Sequence, residues 1–292
     1  MPMAPTRTYL GQVVDLGRVA EDATVTLEAK PISREELAEE LISMAAEDVI
    51  PPARASKARG KAGWIGSSSY GRCGRFGLGV LKKFQYAKSP LHVSDDDAKS
   101  LRLLAAMIAS VPPRIIKALA PPRPRLVVYS DASWEKEARL GWIIITPGAN
   151  RATVARTSII QQELLDNLVE RTTQIMACEA VAVPQAILRE PHLFAGCDVT
   201  WFIDNEAACS SLIRGSSSQE DISIIASITH FLMMEHDIRI WYEWIDSKSN
   251  PADGLSRDGL LDKWTKQQGW SLEESASLQW NELVSALPFQ LH

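Results

Sequence analysis

The chain has 292 residues, 46% of them hydrophobic and 23% charged, with a net charge of −5, which is typical of a soluble globular protein of one large or two ordinary domains. No apolar run reaches the roughly 20 residues that span a bilayer, and the start "MPMAPTRTYLGQVV" has no apolar stretch before a small-residue cleavage site, so a membrane-spanning or secreted chain is not expected. An intracellular location, nuclear or cytoplasmic and not secreted, is expected.

In chain order, "RTYLGQVVDLGRV" alternates as a short strand or hairpin does. "ISREELAEELISMAAEDVI" has helical spacing, with Ser33 expected as N-cap and Glu36 completing a capping box. Pro51 to Ala87 is rich in Gly, Ser and Arg with Trp64, Tyr70, Phe76, Phe84 and Tyr86 interleaved, and is read as helix, loop, helix. No acid occurs between Asp48 and Asp95, while Arg54, Lys57, Arg59, Lys61, Arg72, Arg75, Lys82, Lys83 and Lys88 give that stretch a charge of +9. The rest of the chain must then carry −14 to reach −5. Such a split suggests a basic surface for a polyanion, the alternative being an ordinary solvated face. "VSDDDAKSLRLLAAMIASV" starts another helix at Ser94, and the prolines of "VPPRIIKALAPPRPR" end this mainly helical region, placing a boundary near residue 122. Cys73, Cys178, Cys197 and Cys209 lack C-x-x-C spacing and read as reduced thiols rather than a zinc site or disulfide framework.

Past the prolines the period changes. "RLVVYSDAS", "LGWIIITPG", "ATVARTS", "CDVTWFID" and "IRIWYEWID" have strand length and character, with helical patterns between the later ones. The order β-β-β-α-β-α-α-β-α predicts a mixed sheet covered by helices. A C-terminal tail from about 259 to 292 looks helical, and its Trp264, Trp270 and Trp280 are expected to supply buried area, the alternative being recruitment of a partner.

Four acids stand at marked places in these elements: Asp131 after "LVVYS", Glu179 inside a helix, Asp204 closing a strand, and Asp253 in "NPADGLSR". Each has an ordinary reading, as turn residue, solvated helical Glu, helix cap and acid at a helix N-terminus respectively. They lie 48, 25 and 49 residues apart, so only a fold can unite them. If it does, the acids repel one another and raise each other's pKa unless divalent cations meet them. Magnesium suits such hard oxygen ligands, and two ions would clamp an in-line phosphodiester displacement.

Together "YSDAS", "LGWIII", "QIMACEAVAV", "FIDNEAACSSLIRG" and "WIDSKSNPADGLSR" resemble the ribonuclease H domain of retrotransposon reverse transcriptases, DIRS-like or gypsy-like, over residues 122–258. The resemblance implies an α/β fold: a five-stranded mixed sheet, three antiparallel strands then two parallel, flanked by helices. It implies that Asp131, Glu179, Asp204 and Asp253 hold two Mg²⁺ ions, with Mn²⁺ as an alternative, and that the substrate is the RNA strand of an RNA–DNA hybrid. Residues 1–121 resemble the palm end, thumb and connection that precede that domain, so a separate reverse-transcriptase chain is an expected partner. The palm's Tyr-x-Asp-Asp hairpin is missing, and "SDDDAK" reads as a helix start instead. Contacts to nucleic acid are expected from Ser133, Asn205, Ser210 and Lys248, and from the basic segment through Arg54, Lys57, Arg59, Lys61, Arg72, Arg75, Lys82 and Lys83, with steep salt dependence.

Two departures stand against the family pattern. Pro184 falls five residues after Glu179, so a kink is expected there, one able to displace Glu179. The loop before Asp253 has no histidine, which implies slower product release. The competing reading is a catalytically inactive nucleic-acid-binding relic of the same fold. A proofreading-type exonuclease and an integrase-like transposase fit less well, because Asp131 is followed by Ala132 and Ser133 and the acids run Asp, Glu, Asp, Asp.

Overall fold

The N-terminal hairpin turns through Leu10 and Gly11, whose φ values of 48° and 84° are the paired left-handed values that a tight two-residue turn uses. The computed structural model describes residues 5–68, 72, 74–119, 122–134, 137–148 and 153–287, with Tyr70, Cys73 and the side chain of Phe76 outside them. The chain divides between Pro122 and Arg123 into two compact units. No helix among the described residues is long and apolar enough to cross a membrane.

The first unit carries, in order, β1 (Thr6–Tyr9), β2 (Gln12–Asp15), α1 (Val19–Asp22), β3 (Thr24–Ala29), α2 (Pro31–Ala45), β4 (Val49–Ile50), α3 (Pro52–Ser68), α4 (Arg75–Gln85), β5 (Leu91–His92), α5 (Asp95–Ser110) and β6 (Arg114–Lys117). Leu37, Leu41 and Met44 of α2 and Leu101, Leu104 and Met107 of α5 are fully or almost fully buried and make much of the core. Ser94 caps α5 as expected: its hydroxyl accepts from the Asp97 N–H while the Asp97 side chain reaches back to the Ser94 N–H.

Two local expectations are corrected. Helix α2 does not start at a Ser33 cap; it starts at Pro31, with Lys30 as an N-cap that makes no side-chain bond. Proline at the first helical position has its φ preset and lacks an N–H the helix could not have used, so it outcompetes the capping box. The segment "RIIK" was expected only to close the region; instead it is β6, which pairs antiparallel with β3 and completes a sheet ordered β1-β2-β3-β6.

The second unit carries β7 (Arg125–Trp134), β8 (Ala138–Ile145), β9 (Val154–Ile159), α6 (Gln162–Asp166), α7 (Ile175–Arg189), α8 (Pro191–Phe194), β10 (Asp198–Ile203), α9 (Glu206–Arg214), α10 (Glu220–Glu235), β11 (Arg239–Trp244), α11 (Asp253–Asp258), α12 (Lys263–Gln267), β12 (Ser271–Glu274) and α13 (Trp280–Ser285). This is an α/β unit whose mixed sheet runs β11-β10-β7-β8-β9-β12. Strands β7, β8 and β9 are antiparallel neighbours, and β10 and β11 add in parallel beside β7. Trp142 and Trp201 are fully buried, and the Trp201 indole N–H donates to Ser130 Oγ at 2.9 Å, so the large ring enters the core without an orphan donor.

The tail expected to be only helical supplies a sixth strand. Residues Ser271–Glu274 pair in parallel with Val154–Thr157 on the free edge of β9, where open N–H and C=O groups offer a strand a partner. Trp270 packs against the cluster of Ile143, Ala155, Ala252 and Leu255, and Arg189 of α7 is ion-paired with Glu282 of α13. The described part of the tail, to residue 287, therefore packs on this unit, although Trp264, expected to be buried, is 46% exposed. Pro184 does not displace Glu179: α7 continues through it to Arg189, and Glu179 stands with Asp131 and Asp204. Residues 177 to 187 of that helix are all buried, and packing on every side holds a helix that one missing N–H bond would weaken in solvent.

Candidate active site

Strands β7 and β10 lie side by side in parallel, with Phe202 opposite Tyr129 and Ile203 opposite Ser130. The next residues along are Asp204 and Asp131, so two acids 73 positions apart become neighbours at one end of the sheet. Helix α7 brings the third. Asp131, Glu179 and Asp204 each offer a carboxylate oxygen within 4.8 Å of the other two.

Neighbouring groups fix two of these acids. Glu179 Oε1 accepts the Ala132 backbone N–H at 2.9 Å, one residue beyond Asp131. The Ser256 hydroxyl donates to Asp131 Oδ2, and Asn250 Nδ2 donates to the Ser130 carbonyl at 2.9 Å and approaches Asp131 Oδ1 at 3.4 Å. Burial pushes the Asp131 carboxyl up to about 7; the Ser256 bond opposes this, and the charges of Asp204 and Asp253 add to it. Glu179, only 2% exposed, is raised well above the ordinary range, first by burial and then by the charges of Asp131 and Asp204. Its Oε2 is buried without a hydrogen-bond donor. An orphaned carboxylate oxygen among like charges is costly, and a hard divalent cation is the partner that offsets the cost, so the residues present fit Mg²⁺.

Asp253 lines the same cavity, of about 390 Å³, but stands outside the three-acid group. Its Oδ1 accepts from Arg257 Nε at 2.8 Å, one helical turn on. Ser133 lines the cavity and donates to the Ser256 carbonyl. Asn205 also lines it, and its Oδ1 caps α9 by accepting from the Ala208 N–H at 3.0 Å. Ser210 is half-buried on α9 and Lys248 is exposed in a short turn; neither is among the residues lining the cavity.

The basic residues expected to grip nucleic acid lie in the first unit, and several are engaged by acids from outside their own stretch. Arg54 pairs with Glu47 at 2.6 Å and Glu40 at 3.9 Å, Lys61 with Glu40 at 3.3 Å, and Lys83 with Asp97 at 2.6 Å. Arg59 donates to Gln85 at 2.7 Å. Lys57, Arg75 and Lys82 are exposed. Arg72 and Arg75 also line a cavity of about 190 Å³ whose walls include Ile65, Leu104, Met107 and Ile108.

Sequence reasoning missed five contributors, the first being Asn250, whose side chain bonds the Ser130 carbonyl. Ser256 and Arg257 stand three and four positions after Asp253 on α11, a spacing that puts them on one helix face and could have flagged them. Trp134, 42% exposed, also lines the cavity. Gly141 sits opposite Asp131 in the β7–β8 register, and a Cβ there would come within 2.6 Å of Leu255 Cβ, 2.7 Å of the Ser256 nitrogen and 2.9 Å of the Ala252 carbonyl. The bare glycine lets α11 lie on β8 and deliver Ser256 to Asp131. No signal in the sequence alone announces that contact.

No protein-family model and no curated protein matches the chain. Among solved structures, the chain is similar to the N-terminal RNase H domain of a Mycobacterium tuberculosis protein at 17% identity, over 50% of this chain and 99% of that one, with a TM-score of 0.36. RNase H1 from Halobacterium salinarum is similar at 18% identity over 47% and 97%, also with a TM-score of 0.36. A foamy viral protease–reverse transcriptase is similar at 11% identity over 83% and 38%, with a TM-score of 0.28. The fold class rests on the strand order and registers described above, not on these likenesses.

Proposed function

We propose that the chain is a Mg²⁺-dependent ribonuclease H, hydrolysing the RNA strand of RNA–DNA hybrids, and that it derives from a retrotransposon reverse transcriptase. The supporting observation is the convergence of Asp131, Glu179 and Asp204 within 4.8 Å around a buried, donorless Glu179 oxygen. Asp131, Glu179 and Asp204 would hold the cation, with Asp253 beside them. When bound, Mg²⁺ (or Mn²⁺) supplies Lewis-acid activation of a water and neutralises charge on the phosphodiester.

The rest of the work belongs to the chain. Ser256 and Asn250 orient Asp131, and the Ala132 N–H holds Glu179, so the oxygens are preset rather than assembled on binding. Asn205, by capping α9, fixes the backbone next to Asp204. Ser133, Asn205 and Trp134 line the cavity and would meet the sugar edge of a bound strand, where a 2′-hydroxyl tells RNA from DNA. Exposed Lys57, Arg75 and Lys82 would add phosphate contacts, and a separate reverse-transcriptase chain is the proposed protein partner.

The purified chain should be given a labelled RNA–DNA hybrid, duplex DNA and single-stranded RNA with Mg²⁺, Mn²⁺ or Ca²⁺. Cleavage of the hybrid's RNA strand alone with Mg²⁺ or Mn²⁺, absent with Ca²⁺ and lost in Asp204→Asn, is expected. Hybrid binding without cleavage under every ion would establish the inactive relic instead.

A further inference from the structure

Four acids line or form the cavity, yet one behaves differently. Asp131, Glu179 and Asp204 crowd together, whereas Asp253 is ion-paired with Arg257, Nε to Oδ1 at 2.8 Å. Among the described residues lining the cavity, Arg257 is the one cation. The acid outside the cluster is therefore the acid that the site's own cation holds.

The backbone that carries this pair is already anchored. Ser133 Oγ donates to the Ser256 carbonyl and the Ser256 hydroxyl donates to Asp131, so the first turn of α11 is tied to β7 beside the clustered acids. Asp253 is the first residue of that turn, and its charge is felt at Asp131. Both members of the pair are half-exposed, 37% for Asp253 and 52% for Arg257. Solvent-screened i,i+4 pairs of this kind are weak, and a guanidinium prefers the bidentate hold a phosphate offers.

We propose that Arg257 is a phosphate-responsive latch: in the free protein it keeps Asp253 from the three clustered acids, and a backbone phosphate in the cavity takes the guanidinium and frees Asp253 to turn toward the cation they hold. The fourth ligand is thereby recruited only when substrate is present. The inference rests on the metal-dependent reading of the cavity. It makes Arg257 a positioning residue whose effect on the reaction passes through Asp253.

The test is a cycle of cation binding without nucleic acid, measured calorimetrically with Mn²⁺ on the full chain as parent, Arg257→Met, Asp253→Asn and the double variant. Removing a positive charge tightens cation binding by simple Coulomb relief in either background, so the diagnostic quantity is the difference between the two gains. Arg257→Met is expected to tighten Mn²⁺ by roughly five-fold in the parent and by less than about two-fold in the Asp253→Asn protein, the size expected of one weak ion pair. In parallel, the dependence of hybrid Kd on salt, measured with Ca²⁺, should lose about one unit of slope in Arg257→Met, as for one lost phosphate contact. Equal gains in both backgrounds, or an unchanged salt slope, overturn the latch. Damaged folding would weaken Mn²⁺ binding rather than tighten it, and weakening overturns the proposal too. The binding cycle reads out whether or not the parent cuts RNA, so failure of the latch and failure of the proposed activity are separate results.

Discussion

The acidic cluster of the second unit and the basic helices of the first invert each other. Along the chain the cations of α3 and α4 are the conspicuous feature, +9 without one acid, while the acids of the cavity are scattered singly. In space the cations are partly met: Arg54 by Glu47 and Glu40, Lys61 by Glu40, Lys83 by Asp97. The acids instead converge, and the Glu179 oxygen left over is buried without a donor. A run of like charge on exposed helices is cheap and is compensated by whatever acids pack nearby. Like charges buried together cannot be compensated by solvent, and their persistence points to a ligand.

The contrast can be broken most sharply at the acids. Asp204→Asn and Glu179→Gln should each lower hybrid cleavage by about 10³-fold or more, since each removes a proposed cation ligand. In EDTA, Glu179→Gln should melt no lower than the parent, because it removes a buried charge that the metal-free protein tolerates poorly. A melting temperature lowered by several degrees would mean that the cluster is a structural element rather than a cation site.

Gly141→Ala should follow. The added methyl must displace Leu255, the Ser256 backbone or the Ala252 carbonyl, costing about 1–3 kcal/mol in urea unfolding, a typical overpacking loss. The same displacement withdraws Ser256 from Asp131, so Mn²⁺ affinity should drop with stability. A destabilised variant with parental Mn²⁺ affinity would show that α11 does not position the site.

The pH dependence has a definite sign. In the folded chain the Asp131 carboxyl is raised from 3.8 to about 7, so between those values the native state binds more protons than the unfolded chain. Stability without metal is then greatest below about pH 4 for this group and falls as pH rises toward 7. Glu179, also raised, acts in the same direction. Melting in EDTA should therefore decline from pH 5 to pH 7.5, and Mg²⁺ should restore it at pH 7.5 far more than at pH 5. A flat profile, or equal Mg²⁺ effects at both pH values, would break the link between burial and cation.

The smallest effects belong to the basic helices. If they grip a duplex, Lys57→Ala and Arg75→Ala should each flatten the salt dependence of hybrid Kd by about one unit with little loss of stability. Arg54→Ala should instead cost up to about 1 kcal/mol of stability, as removal of a partly exposed ion pair does, with less change in slope. Identical slopes for the paired and unpaired positions would erase the distinction drawn between them.

Much of this was legible in residue order. Alternating and apolar runs marked five of the six strands of the second sheet, Ser94 and Asp97 announced their capping box, and the acids could be named because they followed apolar runs, lay inside an apolar helix or, for Asp253, sat in "NPADGLSR". These are local matters of period and hydrogen-bond arithmetic, set by residues a few positions apart. The rest was decided by contacts between distant segments. Pro31 displaced Ser33 as the start of α2, Ser271–Glu274 became a strand because β9 had an open edge, and α7 ran through Pro184 because it is buried all round. Whether Glu179 faced solvent or Asp131, whether Gly141 was idle or made room for α11, and whether Asp253 met the other acids or Arg257 depended on packing between elements tens of residues apart. Amino-acid order names the groups able to carry charge, but their cost and their partners are set by burial and neighbours that exist only once the chain has folded.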